Sequence, residues 1–304
     1  IVGVDETEED LPTVVYVPSS YEDLSEGTSN PPVPVVFFFH PAGNSGIDRF
    51  NNDVIGWRRI AEQEGVIVVY PSARKYQSKD GENYRRWAAN LGYNQWIAPN
   101  ETFRDDLRLV DSILAKLKNT FTIDESRIYA FGFSNGAAFI HSRLLQERSN
   151  VFAALGTTGS PIRFPFAIDN PNGSINYIPP LMSVIGNMDK SIQKNSGFPR
   201  PYPMDPSEIM DHPVLGRLNI MNALSILRLE ENTFAAEVQN KTILSFTSPT
   251  DIPLNETVYN DPEYLFIMVE GLDHEYTKRE ENHINMPKEF WAFFSRFTLP
   301  DLNP

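Results

Sequence analysis

Gly132, Phe133, Ser134, Asn135 and Gly136 form a G-x-S-x-G run, directly after the apolar and aromatic segment Arg127–Phe131 and directly before a helical run, Ala137–Glu147. That order is what a nucleophilic serine needs. On a strained strand-to-helix turn its hydroxyl stands clear of the backbone, and the flanking residues must be glycines because a Cβ there would collide with neighbouring chain. The pattern alone is short enough to arise by chance. The strand before it and the helix after it make it a candidate for acyl transfer; the plainer reading is a tight turn whose serine caps the helix.

Such a serine needs a base, an acid to orient the base, and N–H donors for the oxyanion that forms when it attacks a carbonyl. Asn135, the residue after the nucleophile, supplies one backbone donor. The second is expected in the loop His40, Pro41, Ala42, Gly43, Asn44, which ends the buried run Phe37–Phe39. Pro41 has no N–H, so Ala42 is the candidate. His40 precedes the nucleophile, where a structural role is expected. In this arrangement the order along the chain is nucleophile, acid, histidine. Of the five histidines, His212, His274 and His283 lie late enough. His274 stands in the turn Glu270, Gly271, Leu272, Asp273, His274, just past the strand candidate Tyr264–Val269, and is predicted to be the base. His212 falls in a Pro-rich stretch and His283 on the C-terminal helical segment, so both are expected at the surface. The acid should follow the strand candidate Leu181–Ile185, where Gly186, Asn187, Met188 lead to Asp189. Asp273 adjoins His274, but neighbouring side chains in an extended turn point apart. Asp211, Asp251 and Asp261 follow no strand end.

The elements that must position these groups are legible as alternating strands and helices. Strand candidates are Thr13–Val17, Val35–Phe39, Val66–Tyr70, Arg127–Phe131, Phe152–Thr157, Leu181–Ile185 and Tyr264–Val269, apolar almost throughout, as suits parallel strands covered on both faces. Leu107, Val110, Ile113, Leu114 and Leu117 share one helical face. Thr242–Phe246 and Val258 are expected to add an antiparallel pair before the last strand. The expected fold class is therefore α/β, and with the serine turn an α/β-hydrolase fold is expected, with a mainly parallel central sheet and helices on both faces, in a single catalytic domain over 1–304. Pro-, Asn- and Asp-rich stretches at about 160–180 and 190–213 are expected to run over the surface and to help build a substrate pocket.

Composition narrows the chemistry. With 26 Lys and Arg against 40 Asp and Glu, the net charge of -14 disfavours nucleic acid and anionic lipid as partners. Cysteine is absent, which removes disulfides, thiolate metal sites and a cysteine nucleophile. There is no H-E-x-x-H zinc motif, phosphate loop or strand-linked G-x-G-x-x-G. Asp105 and Asp106 could suggest a metal pair, but at a helix start they more simply complement its dipole. No apolar run reaches the roughly 18 to 20 residues of a membrane span. The expectation is no metal, no organic cofactor and no membrane. N-x-S/T sequons begin at Asn100, Asn172, Asn240 and Asn255.

Taken together these segments resemble the esterase family that includes secreted polyhydroxybutyrate depolymerases and feruloyl esterases of the carbohydrate-esterase type. His40 to Asn44 resembles its oxyanion loop, Glu64 to Pro71 its third strand, and Phe103 to Leu107 its helix entry. Ile123 to Gly136 resembles its elbow, Gly186 to Asp189 its acid loop and Gly271 to His274 its base loop. The likeness spans most of residues 13 to 297. Where the family reads His-Gly-Cys and Cys-Trp, this chain has His40, Pro41, Ala42 and Arg86, Trp87, the pattern left by losing a disulfide as a unit. The resemblance implies a secreted or periplasmic serine esterase working through Ser134, Asp189 and His274. Its substrates would be feruloyl or acetyl esters on plant polysaccharide fragments, or short hydroxyalkanoate esters. Trp87, Trp96 and Phe133 are candidates to line the substrate pocket. A peptidase or acyltransferase on the same fold, or a binding protein without catalysis, are the alternatives.

Overall fold

Alternation along the strands decides which side chains fill which face of the sheet. Val35, Phe37 and Phe39 join Ile67, Val69, Ile128 and Ala130 in one buried cluster, while Val36 and Phe38 join Val68, Tyr70, Tyr129 and Phe131 in another. Each cluster needs its own cover. Helix Leu107–Thr120 lays Leu107, Leu109, Val110, Ile113, Leu114 and Leu117 on the first. Helices Trp57–Glu64 and Met286–Phe294 cover the second, through Trp57, Ile60, Phe290 and Phe294. Each such buried leucine or phenylalanine contributes roughly 1.5–3 kcal/mol relative to exposure.

The computed structural model describes residues 2–3, 11–22, 30–52, 56–89, 97–162, 177–231, 233–238, 240–247, 262–279 and 283–300. Its ten-stranded sheet runs in the order Val2–Gly3, Pro12–Tyr16, Ile67–Tyr70, Val33–Phe39, Ile123–Phe133, Ala154–Thr158, Leu181–Gly186, Glu263–Val269, Lys241–Thr247, Thr233–Val238. From Ile67–Tyr70 through Glu263–Val269 the strands are parallel, and the outer ones pair antiparallel. Register brings Phe39 opposite Gly132, Phe133 opposite Thr158, and Val269 opposite Gly186. The loops holding Ala42, Ser134, Asp189 and His274 therefore leave the same carboxyl edge of the sheet, where open α/β sheets place ligands.

Four segments add to or qualify the sequence reading. Residues 190–213 fold into helices Lys190–Ser196 and Pro206–Asp211, which lie at the surface and are anchored by the buried Ile192, Tyr202 and Ile209. The cause is local: Asp189 and Asp205 each cap the N-terminus that follows them. Of the stretch at 160–180, residues 163–176 lie outside the described residues, while Tyr177 is buried and donates to the Ala153 carbonyl at 2.6 Å. Lys241–Thr247 pairs with Thr233–Val238 and with Glu263–Val269, whereas Val258 lies outside the described residues. A small hairpin, Lys75–Gln77 with Asn83–Arg85, escaped the sequence because its strands are polar.

Candidate active site

The elbow is built from steric necessity. Ser134 sits at φ 54 and ψ −112, a region costing about 1–3 kcal/mol for a residue with a side chain. A Cβ on Gly132 would fall 2.5 Å from the Gly136 carbonyl carbon, and one on Gly136 would overlap the Phe39 carbonyl. No other residue type fits either position. The strain is held by the Ser134 N–H on the Thr158 carbonyl at 2.8 Å and by Ala138 N–H on the Ser134 carbonyl at 3.0 Å.

From the tip of this turn the Ser134 hydroxyl lies 2.9 Å from His274 Nε2. His274 Nδ1 faces Asp189 Oδ2 at 2.9 Å and Oδ1 at 3.1 Å. A proton on Nδ1, directed at the carboxylate, leaves Nε2 free to accept the serine hydroxyl. The Asp189 side chain is 1% exposed and also accepts the Ser191 and Ile192 N–H groups, at 2.8 and 3.0 Å, so the helix it caps fixes its orientation. Asp273 faces elsewhere. It accepts from Lys190 N–H at 2.9 Å and from its neighbour's own N–H, with Lys190 Nζ at 3.2 Å. Partial burial would raise this carboxyl, but those hydrogen bonds and the Lys190 charge hold it down to about 2.

The acid and base loops are laced to each other by Asn187, whose Oδ1 accepts Gly271 N–H at 2.8 Å, and by Met188 N–H on the Leu272 carbonyl at 2.9 Å. Phe133 is almost buried; its ring packs beside His274 with centroids 5.1 Å apart, so it backs the imidazole more than it lines a cleft. Gly159, at φ +68, completes the support. A Cβ there would meet Phe133 Cε2 at 2.9 Å and His274 Cε1 at 3.0 Å. Gly159→Ala is therefore expected to displace the imidazole and lower kcat by about 10²-fold, the cost of a misplacement near 1 Å. Steady-state kinetics beside a melting curve check this, and a variant that kept full activity would remove Gly159 from the site.

The remaining histidines are structural in their contacts. His40 Nε2 accepts Ala73 N–H at 2.9 Å and Nδ1 donates to the Pro41 carbonyl at 2.8 Å; burial outweighs that bond and pushes its pKa down to about 4. His141 is buried, bonded to Thr157 Oγ1 at 3.0 Å, and pushed down to about 3 by burial. His212 does not sit free on a surface loop: its Nδ1 accepts the Val214 and Leu215 N–H groups and its ring packs on Phe198 and Tyr202. His283, half-buried at φ 78, precedes the last helix instead of lying on it.

Trp87 is corrected outright as a pocket residue. Its side chain has no exposed surface, stacks on Phe139, meets Phe39 edge-on, and donates its indole N–H to the His40 carbonyl at 3.0 Å. Trp96 lies outside the described residues. An aromatic that the sequence did not single out is Tyr84, which is 41% exposed. Its ring comes within 3.9 Å of where a Cβ on Gly43 would be. Ala42 and Gly43 form a turn held by Gly43 N–H on the Arg85 carbonyl at 2.9 Å. Asn135 spends its side chain on Trp87, accepting its N–H at 2.8 Å and donating to its carbonyl at 3.2 Å. Its backbone N–H belongs to the open first turn of the helix. Among the described residues no group of three or more His, Asp or Glu is placed to hold a metal, and no helix is long and apolar enough to cross a membrane.

Sheet order, elbow and loop positions define an α/β-hydrolase fold. The chain is similar in structure to an acetyl xylan esterase from Aspergillus awamori, at TM-score 0.53 and 13% identity over 93% of this chain and 93% of that one. It is also similar to an S-formylglutathione hydrolase from Agrobacterium tumefaciens, at TM-score 0.52 and 14% identity over 95% and 90%. Likeness at such identities is likeness of fold. No protein-family model and no curated protein sequence matches the chain.

Proposed function

We propose that the chain is a serine carboxylic-ester hydrolase. The observation that carries this is the line Ser134 Oγ, His274 Nε2, His274 Nδ1, Asp189, with links of 2.9 Å on each side of the imidazole and the serine on a strained elbow. In the reaction Ser134 attacks the ester carbonyl and passes its proton to His274, while Asp189 stabilises the imidazolium. The developing oxyanion meets the N–H groups of Asn135 and Ala42. Collapse releases the alcohol, which takes the proton from His274 and leaves an acyl group on Ser134. Water, deprotonated by His274, then attacks that acyl group, and the carboxylic acid leaves.

Feruloyl or acetyl esters of plant polysaccharide fragments, or short hydroxyalkanoate esters, are the proposed substrates, and a secreted or periplasmic location goes with them. Both rest on the sequence resemblance. The name of the Aspergillus neighbour agrees with the acetyl ester reading, and the exposed ring of Tyr84 beside the oxyanion loop offers a face for a phenol or sugar. A panel of aryl acetates and butyrates, methyl ferulate and peptide amides tests the proposal. Short acyl groups and ferulate are expected to be released, with His274 acting as the general base. Cleavage of peptide amides with no turnover of any ester would transfer the same residues to a peptidase.

A further inference from the structure

Asp105 and Asp106, which the sequence pairs as acids at a helix start, are separated by the structure. Asp105 is part exposed, accepts Leu107 N–H at 3.1 Å and pairs with Arg143 at 3.0 Å. Asp106 is wholly buried and makes no side-chain cap on its helix. Its Oδ2 instead accepts the Ala88 N–H at 2.8 Å. Arg74 Nε stands 3.7 Å from Oδ1, too far for a hydrogen bond. Burial raises this carboxyl to about 7, against the Ala88 N–H and Arg74; Asp105 raises it further and Arg143 lowers it. Tyr76 also faces it, and its phenol is pushed up to about 12 by burial first and by Asp106 second. A buried carboxylate is costly to keep unless it holds something.

What it holds is the residue after Trp87, and Trp87 is bonded to the Asn135 side chain and to the loop that carries Ala42. Trp87 backbone N–H and carbonyl pair reciprocally with the Asn135 side chain. Its indole N–H holds the His40 carbonyl, two residues before Ala42. We infer that Asp106 is a positioning residue for the oxyanion hole, anchoring through Ala88 the Trp87 backbone and indole that set Asn135 and Ala42 relative to each other. The inference rests on the esterase reading for its catalytic meaning and on hydrogen bonds alone for its structural one.

Asp106→Asn tests it, since the amide keeps an acceptor for Ala88 N–H and removes the charge. Above neutrality wild-type Asp106 is ionised and makes a charge-assisted bond; as pH falls through about 7 it protonates and comes to resemble the amide. The ratio of wild-type to variant kcat is expected to be about 10 near pH 8.5 and to approach about 1 near pH 5.5, at similar KM. The stability sign runs the other way. A carboxyl raised on folding costs the wild type stability as pH rises from the ordinary carboxylate range to about 7, so the melting temperature of the variant should gain on the wild type across that window. By NMR, the Ala88 amide and the Asn135 side-chain amide should shift together with a midpoint near 7 in wild type, and neither should in Asp106→Asn. Trp87→Phe, which removes the indole link along with some buried ring volume and keeps the backbone link to Asn135, should lower kcat while the Ala88 amide still titrates. A kcat ratio constant with pH, or an Asn135 amide that ignores the Ala88 titration, overturns the inference. If no ester is turned over, the esterase reading fails by itself, and the NMR experiment still decides whether the Asp106 charge reaches Asn135.

Discussion

Replacing Ser134 with alanine is expected to lower kcat by about 10⁴ to 10⁶ and to leave the fold intact, because nucleophile, base and acid act as a unit and losing one forfeits most of what all supply. Rate remaining in the variant would come from the oxyanion donors and substrate binding alone. Stability should not suffer. Alanine at φ 54 bears the same backbone strain, and the hydrogen bonds that hold the elbow come from main-chain atoms of Ser134, Thr158 and Ala138. Steady-state kinetics on an aryl ester, with melting curves of both proteins, check this; a variant retaining more than about a tenth of the activity would move the nucleophile elsewhere.

Asp189→Asn is expected to cost about 10³ to 10⁴ in kcat, and the structure gives the reason. Asparagine caps helices well, so its oxygen would stay with the Ser191 and Ile192 N–H groups that Asp189 Oδ1 holds. Its NH₂ would then occupy the place of Oδ2, 2.9 Å from His274 Nδ1. Two donors cannot share that contact, so the imidazole would carry its proton on Nε2 and could no longer take one from Ser134. Asp273→Asn should change kcat little, since Asp273 engages Lys190 and the His274 backbone but not the ring. Measuring both variants under one set of conditions separates the two acids, and the reverse ranking would give the role to Asp273.

How much of this was legible in the sequence varied with the range of the interaction. The strands around Phe37–Phe39, Arg127–Phe131 and Tyr264–Val269 were visible because central strands buried on both faces must be apolar at every position. Ser134 and its glycines were visible because the strained turn is a pattern of five consecutive residues, although the Cβ overlap at Gly136 is with Phe39 on the adjoining strand. Trp87 was misjudged because an aromatic near a loop looks the same whether it faces a cleft or the core, and what decides is contact with Phe39, Phe139 and His40, each distant in sequence. Asp106 was read as a dipole partner since its actual partner, Ala88, lies 18 residues away on a loop. Gly159 had no signature beyond being a glycine after a strand, and its closeness to His274 exists only once the sheet has formed. Asn187 likewise follows Gly186 unremarked until Gly271 is brought within 2.8 Å of it.

The central claim is that Ser134 becomes acylated, and the most direct test is to catch that state. Protein mixed with an excess of a p-nitrophenyl ester and quenched in acid within the first turnover should carry one acyl group per chain. Digestion and mass spectrometry should place it on the peptide containing Ser134, and Ser134→Ala should carry none. Hydrolysis of the ester at an undiminished rate with no acyl group on Ser134, or with the group on another residue, would contradict the account.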